Sequence, residues 1–392
     1  MALLAGLGCL GLLVESGGAV QNIKWGTTEI HPYFLAEEYY DDNIYLLPQG
    51  SAKKGSWVNV AAPGLYIRAP FHPRYEAHLD MRAQFLSYAK DSSQNNDFER
   101  LALADALFKF PRQSSLRIYN NFQRTSDQAE SEFTQRAKRI QNDAGFTSDI
   151  NVGGRLGVSV DGQHTLHRYE DDTLKPDLDR MEYVGGGGLF YRLFPKTRLL
   201  AQYHYDQIAY AFSTNTNDSR THSAEVGVKG QISPKMVATI LAGAQWRHYD
   251  EEVSGAPQNA RTGSYSLNLE WQPDRLTLIK ARGLRSLQES VFGANRYYVS
   301  DAAVLEMNQT FGVKWEGNLL IGFEHAQYPV ATSEDGVTDT RIDKTYQAGF
   351  ELNYKIQPWL SVGGRYYYRQ RDSNFPLAYK DNITGVTLRI KL

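Results

Sequence analysis

The chain is poor in three features that would place it in other classes of protein. It contains one cysteine, Cys9, in 392 residues, which excludes an internal disulfide framework. Its formal net charge is only −2, and no segment has a large surplus of lysine and arginine, so nucleic acid is not expected as a partner. Beyond the N-terminus there is no run of about 18 uncharged apolar residues, which excludes a transmembrane helix.

What the sequence has instead is strict alternation of polar and apolar residues. Residues 74–85, RYEAHLDMRAQF, alternate without a break. Because successive side chains of a strand point to opposite faces, one face of this segment is apolar and the other is charged. The pattern recurs along nearly the whole chain. A transmembrane β-barrel needs only one apolar face per strand, which agrees with a mean hydropathy of −0.48, 25 tyrosines and 33 glycines.

Short segments rich in proline, glycine, asparagine and aspartate end these strands and predict tight turns. They lie at 70–73, 111–113, 151–154, 195–196, 233–235, 273–274, 312–317 and 357–358. Longer polar segments alternate with them, and the eighth is predicted as a loop over 329–340. The sequence therefore predicts an all-β, antiparallel up-and-down transmembrane barrel of about 18 strands, with 16 as the alternative count and short turns on the periplasmic side.

The N-terminus differs from the rest of the chain. MALLAGLGCLGLL is apolar and is followed by small residues, but the positively charged start of a secretory signal is missing. We expect residues 1–22 to be an atypical signal or leader segment and residues 23–392 to form a single barrel domain.

The polar face of each strand is predicted to line a wet interior, because lysine or arginine facing lipid at the bilayer midplane costs about 2–4 kcal/mol. The predicted pore-lining residues are Glu76, His78, Asp80, Arg82, Gln84, Arg117, Arg198, Gln202, His204, Glu225, Lys229, Gln245, Arg247, Glu270, Glu351, Arg365, Arg369, Arg389 and Lys391. Two interpretations stay open. Their charges could select what passes through a channel, or they could pair across strands and brace the wall.

Two groups of residues are candidates for sites of chemistry. The acidic cluster has no recognised calcium-loop spacing, so we interpret it as the solvated mouth of the first strand. It comprises Glu37, Glu38, Asp41 and Asp42. Histidines without a nucleophile motif are predicted to face the pore, and these are His164, His167, His204 and His222. We expect no metal, no cofactor and no enzymatic activity.

The first hundred residues resemble the outer-membrane barrel family called "putative beta-barrel porin 2". The resemblance rests on IHPYFLAEEYYDDNIYLLP, WVNVAAPGLYIRAP and the end of the third strand. The matching residues include His31, Pro32, Tyr40, Asp41, Asp42, Asn43, Pro63 and Gly64.

This resemblance implies a barrel in the outer membrane of a Gram-negative cell, surrounded by lipid. It also implies an exit pore for a secreted exopolysaccharide, with a polysaccharide chain as cargo and periplasmic export machinery as partner. This step is an analogy at the level of the family. A general or solute-specific uptake porin is the alternative, and a surface barrel enzyme is a third hypothesis.

Overall fold

Each long strand pairs antiparallel with its sequence neighbours, and the last strand pairs with the first long one, so the sheet closes. The structure is a computed structural model and describes residues 23–127, 136–334 and 336–392. It confirms the predicted closed barrel of 18 antiparallel strands. The predicted leader, residues 1–22, lies outside the described residues.

The strand bounds follow the chain. A short strand outside the barrel, β1 (Ile23–Trp25), pairs with the start of β2. The barrel strands are β2 (Thr28–Asp41), β3 (Ser56–His72), β4 (Tyr75–Tyr88), β5 (Asp97–Lys109), β6 (Ser115–Thr125), β7 (Arg139–Gly153), β8 (Leu156–Tyr169), β9 (Arg180–Phe194), β10 (Thr197–Tyr210), β11 (Ser219–Ser233), β12 (Met236–Tyr249), β13 (Asn259–Trp271), β14 (Thr277–Glu289), β15 (Tyr297–Phe311), β16 (Trp315–Glu334), β17 (Val337–Gln357), β18 (Leu360–Ser373) and β19 (Tyr379–Lys391). Single helical turns are α1 (Ser92–Asn95) and α2 (Lys175–Leu178). No helix in the described ranges is long and apolar enough to cross a membrane.

All eight predicted turns join neighbouring strands at one end of the barrel, here called the turn end; the longer loops lie at the opposite, loop end. The loop predicted at 329–340 is wrong. Strands β16 and β17 instead continue as a paired hairpin from Ala331↔Thr340 to Glu334↔Val337, above a register shift that begins at Gln327. This segment is rich in valine and threonine, whose β-branched side chains favour strands.

The two faces of the sheet differ as the alternation predicts. In β4, Phe85 is 52% exposed on the outward face, whereas His78 and Asp80 lie on the inward face. Near the loop end, Tyr40 packs outward against Trp57 with ring centroids 5.5 Å apart. Such aromatic residues at strand ends are typical of an interfacial girdle.

Glycines on the inward face let side chains cross one strand to reach the next. Gly186 lies between His204 and Asp161 in the register. The His204 ring covers the place that a Cβ of Gly186 would occupy, and its Nε2 lies 3.2 Å from the Asp161 carboxylate. The adjacent Gly185 faces outward and has open space there. Inward glycines therefore leave room for side-chain contacts between the two strands that flank them.

The barrel closes at the loop end through residues of the family motif. Asn43 is fully buried, and its side-chain amide donates to the carbonyls of Leu47 and Lys380. The backbone and side-chain amides of Asn382 donate to Asp42 at 2.9 Å. Although partial burial opposes ionisation, these hydrogen bonds hold the pKa of Asp42 below its ordinary value. The motif thus joins the first and last barrel strands.

The same two strands meet at the turn end. The backbone amide of Leu392 donates to the Pro32 carbonyl at 3.0 Å. Nearby, Tyr33 crosses Gly64 on β3, and its hydroxyl donates to Asp80 at 2.7 Å. A side chain at residue 64 would displace this tyrosine, which explains the glycine in the motif.

Candidate functional site

Every residue predicted to line a pore lies on the inward face. Residues opposite each other in the ladders share a face, and these ladders place the predicted set on the side away from the exposed apolar residues. The set comprises Glu76, His78, Asp80, Arg82 and Gln84 on β4, Arg117 on β6, Arg198, Gln202 and His204 on β10, Glu225 and Lys229 on β11, Gln245 and Arg247 on β12, Glu270 on β13, Glu351 on β17, Arg365 and Arg369 on β18, and Arg389 and Lys391 on β19. Their role as the wall of a water-filled path stays a prediction.

Several inward charges near the turn end are accessible. The Arg117 side chain is 54% exposed, and its Nε lies 3.5 Å from Asp105. Asp105 also lies 3.6 Å from His78 Nδ1. Half-exposed pairs of this kind contribute little to stability, because water screens them. These groups are therefore free to interact with what occupies the interior.

Inward charges near the loop end are buried. Arg247 and Glu289 form an ion pair in which each side chain is only 7% exposed. The Tyr210 hydroxyl also donates to Glu289 at 3.0 Å, which links β10 to β14 across the three strands between them, β11, β12 and β13. A buried pair of this type cannot lose one partner without leaving an uncompensated charge.

Gln245 has a similar supporting role. The β13–β14 ladder stops at Tyr265↔Arg285, and above this point β14 leaves β13. Gln245 Oε1 accepts a hydrogen bond of 3.0 Å from the backbone amide of Leu287. It therefore replaces a missing ladder bond where β14 leaves its neighbour.

The segment after β14 crosses the mouth of the barrel. We call residues 290–296, SVFGANR, the mouth loop. On one side the Phe292 ring packs edge-on against Tyr328 at 5.7 Å and Phe375 at 5.4 Å. The Arg341 guanidinium lies over Phe292 at 4.4 Å and over Tyr328 at 4.7 Å. This side of the loop is fixed to β16, β17 and the β18–β19 loop.

The other side of the mouth loop contacts the far rim. Val291 packs against a buried cluster that includes Tyr169 and Leu178, near α2. At the base of the loop, Arg296 stacks on the Tyr249 ring at 4.5 Å and donates to Asn217 at 3.0 Å. The loop is thus held from opposite sides of the rim and spans the mouth.

The sequence predicts a loop over 289–296, but it does not predict that this loop crosses the mouth, nor does it single out Glu289 and Arg341. The one available signal is the apolar pair Val291–Phe292 within an otherwise polar external segment. An apolar pair in a loop indicates that the loop packs against something. Alternation cannot show where that is, because the contacts come from distant strands.

Opposite walls of the interior both carry inward charged residues. Strand β18 stands opposite β9 in the ring, and its inward face carries Arg365, Arg369 and Arg371. Facing this wall, β7 and β8 carry inward Asp149 and Asp161. Each of these aspartates has a basic partner, Arg198 at 2.7 Å and His204 at 3.2 Å. The arginines of β18 are likewise paired, Arg365 with Glu37 at 2.9 Å and Arg369 with Asp381 at 3.0 Å, so the inward charges of both walls are largely compensated by neighbouring side chains.

The prediction for the histidines is wrong for two of them. His164 faces outward, because it lies opposite outward Tyr183 with the rings 4.9 Å apart. His222 also faces outward, where it pairs with Tyr203. His167 and His204 face inward as predicted. The odd–even register of β8 and β11 decides these orientations.

The acidic cluster of the sequence is divided by the strand. Glu37 faces inward and pairs with Arg365 at 2.9 Å, whereas Glu38 faces outward. Carboxylate oxygens of Asp41, Asp42 and Asp381 lie within 4.8 Å of one another. Basic side chains of the chain itself already contact two of these three, Lys53 at Asp42 and Arg369 at Asp381.

Comparison with solved structures finds barrels of low sequence identity. A BenF-like porin from Pseudomonas fluorescens Pf-5 is 10% identical, with 94% of this chain and 99% of that chain covered and a TM-score of 0.48. OpdK from Pseudomonas aeruginosa, solved with vanillate, is 11% identical over 93% and 99%, with a TM-score of 0.47. The FrpB iron transporter from Neisseria meningitidis (F3-3 variant) is 10% identical over 88% of this chain but only 62% of its own, with a TM-score of 0.43.

No relative matches among the curated proteins. Residues 19–392, by contrast, match a family described as "Putative beta-barrel porin 2", which confirms the family resemblance. With a closed ring of 18 strands and an apolar outward face, the protein is a porin-like, multi-pass barrel of the outer membrane. The chain belongs to the "Putative beta-barrel porin 2" family.

Proposed function

We propose that the barrel is a passive channel for small water-soluble solutes, in the manner of an uptake porin. The observation that carries this proposal is the mouth loop, which spans the loop end between Phe375 on one side and Leu178 on the other. A polymer chain needs a continuous wide path, whereas a small solute can pass beside such a loop. Barrels of 16–18 strands are wide enough for an aqueous channel.

The exposure of the predicted pore-lining residues differs between the two ends of the barrel, and this difference supports the proposal. Charges near the turn end, such as Arg117, are accessible to a solute. Charged residues at the loop end, such as Arg247, instead form buried ion pairs that stabilise the mouth. Selection by charge would then take place below the mouth.

The direct test is reconstitution of the purified barrel in planar bilayers and in liposomes. We expect stepwise ionic conductance, permeation of mono- and disaccharides, and exclusion of long dextrans. Absence of conductance would contradict the channel. Passage of long dextrans would contradict the inference that the mouth loop limits the channel to small solutes.

Exit of an exopolysaccharide, which the resemblance implies, stays a separate prediction. Deletion of the gene distinguishes the two functions. Lost surface polymer with normal solute uptake would favour export, and unchanged polymer with reduced uptake would favour the proposed channel.

A further inference from the structure

Basic side chains cluster on the outward face of β11, β12 and β13 near the loop end. His222, Trp246 and Arg261 lie opposite one another in one row of the ladder, and Arg220 lies opposite His248 in the next row towards the loop end. Because His222 faces outward, its ladder partners and the residues two positions along share that face. All five side chains are exposed. We call Arg220, His222, His248 and Arg261 the basic patch.

The positive charge of this patch is weakly compensated within the chain. The Arg261 guanidinium lies over the Trp246 ring at 5.9 Å, and it forms no ion pair with a carboxylate of the described residues. Arg220 lies 3.3 Å from Asp250, but the two side chains are 52% and 32% exposed, so water screens the pair. Asp250 follows the end of β12 and lies on the loop side of the patch. Both arginines are therefore available to an anion.

The patch lies where the apolar outer surface of the barrel ends. The outward residues of β13, from the turn end upwards, are Trp271, Leu269, Leu267 and Tyr265, followed by a glycine and then Arg261. Ten residues of strand, at about 3.3 Å each and a tilt of about 40°, rise about 25 Å, which is the height of the apolar band of such barrels. Arg261 is therefore at the level where the headgroups of the external leaflet begin.

Directly on the bilayer side of the patch, the outward residues are small. Ala224, Ala244 and Gly263 form one row across β11, β12 and β13, here called the small-residue strip. A Cβ at Gly263 would meet nothing nearer than 3.9 Å. Tyr203, opposite Ala224, and Tyr265 border the strip and are 49% and 41% exposed. Small residues between two projecting aromatic side chains leave a shallow trough of the kind that an acyl chain can occupy.

The opposite wall of the barrel lacks this combination. Strands β2 and β3 lie opposite β11 and β12 in the ring. There the exposed outward residues just below Tyr40 and Trp57 are Glu38 and Asn59. A carboxylate at this level repels a phosphate, whereas the basic patch attracts it. The attraction is therefore confined to one side of the barrel.

We propose that the basic patch and the small-residue strip bind the phosphorylated headgroup and one acyl chain of a lipid of the external leaflet. A guanidinium donates two parallel hydrogen bonds to phosphate, which assigns the phosphate to Arg220 and Arg261. His222 and His248 each use Nδ1 for a contact within the wall, so Nε2 is left for the headgroup. This site goes beyond the proposed channel function, because it lies on the outside of the barrel.

The test measures lipid binding to the purified barrel in detergent by native mass spectrometry. The probes are diphosphorylated lipid A, the same lipid without its phosphates, and phosphatidylcholine, and we expect lipid A to bind at the lowest concentration. Arg261→Gln should weaken its binding about tenfold, which corresponds to the loss of charge-assisted hydrogen bonds. The matched control is Arg100→Gln on β5, because Arg100 is also exposed, faces outward and stacks on an aromatic ring, Phe98, at 4.8 Å. It should leave lipid A binding unchanged.

A second variant distinguishes a lipid from a free phosphate. Ala244→Phe fills the small-residue strip and keeps every charge of the patch, so it should weaken binding of lipid A but not of inorganic pyrophosphate. Unchanged unfolding midpoints in detergent establish that the variants are folded. Equal binding of lipid A with and without phosphates, or equal binding by Arg261→Gln and Arg100→Gln, would overturn the site. Pyrophosphate binding as tight as that of lipid A, with no effect of Ala244→Phe, would overturn the lipid as its ligand.

Discussion

The two ends of the barrel interior are built from the same alternating pattern but differ in what their charges do. At the turn end, Arg117 and Asp105 form a pair open to the interior. At the loop end, Arg247 and Glu289 are buried beneath the mouth loop. The difference arises because the long loops fold over one end, whereas tight turns leave the other uncovered.

Inward charges at the two ends therefore have different roles: some brace the barrel wall, and others can select solutes. Buried pairs hold strands and the mouth loop in place, and removing one partner leaves a charge without compensation. Accessible pairs contribute little to folding and remain free to act on solutes. The role of an inward charge thus follows from what covers it, and variants at the two ends should behave differently.

The largest effect is expected for Arg247→Met. This change leaves Glu289 buried without its ion-pair partner, which costs about 3–5 kcal/mol. Denaturant unfolding in detergent should show that loss. Single-channel recordings should show a larger or noisier conductance, because β14 and the mouth loop lose their support. Arg247→Met combined with Glu289→Leu should recover part of the stability, and a single variant as stable as the parent would refute the bracing role.

A smaller effect on folding, confined to the mouth, is expected for Phe292→Ala. The variant loses two aromatic contacts and the Arg341 stacking contact, together about 2–4 kcal/mol of docking free energy. Conductance should rise while the global unfolding midpoint changes little, because the barrel ladders are untouched. Phe110→Ala is the control, since Phe110 is 42% exposed at the turn end. Equal conductance in both variants would show that the mouth loop does not limit flow.

Much of the barrel could be predicted because a strand encodes its faces locally. Alternation in residues 74–85 placed His78 and Asp80 inward, and proline or glycine fixed the eight turns. The same local reasoning failed at 329–340, where polar composition predicted a loop and β-branched residues continued the strands. It failed also at His164, where one residue of register decides the face.

The contacts that close the mouth could not be predicted in this way. Phe292 meets Phe375 and Val291 approaches Leu178 only because the ring brings distant loops together. Nor does the sequence show that Gly186 serves as a crossing point for His204, since that requires the register of three strands. Alternation therefore identifies the inward face but not what covers it.

An intermediate effect is expected for Gly186→Ala, with its neighbour Gly185→Ala as the matched control. The inward Cβ at residue 186 would overlap the His204 ring, so the contact with Asp161 must open at a cost of about 1–3 kcal/mol. The outward Cβ at residue 185 meets open space and should be neutral or stabilising by about 0.4–1 kcal/mol. Thermal unfolding of both variants measures the difference, and equal midpoints would show that inward glycines are not needed for crossing contacts.

The smallest effect on stability is expected for Arg117→Gln. Its side chain is 54% exposed, so the loss of its contact with Asp105 should change the free energy of unfolding by no more than about 0.5 kcal/mol. Asp105 then remains as an accessible negative charge, and the reversal potential in a KCl gradient should shift towards cation preference. This variant has the opposite profile to Arg247→Met, with stability retained and selectivity altered. A destabilised Arg117→Gln barrel with unchanged selectivity would mean that charges at the turn end also brace the wall, and the distinction between the two ends would fail.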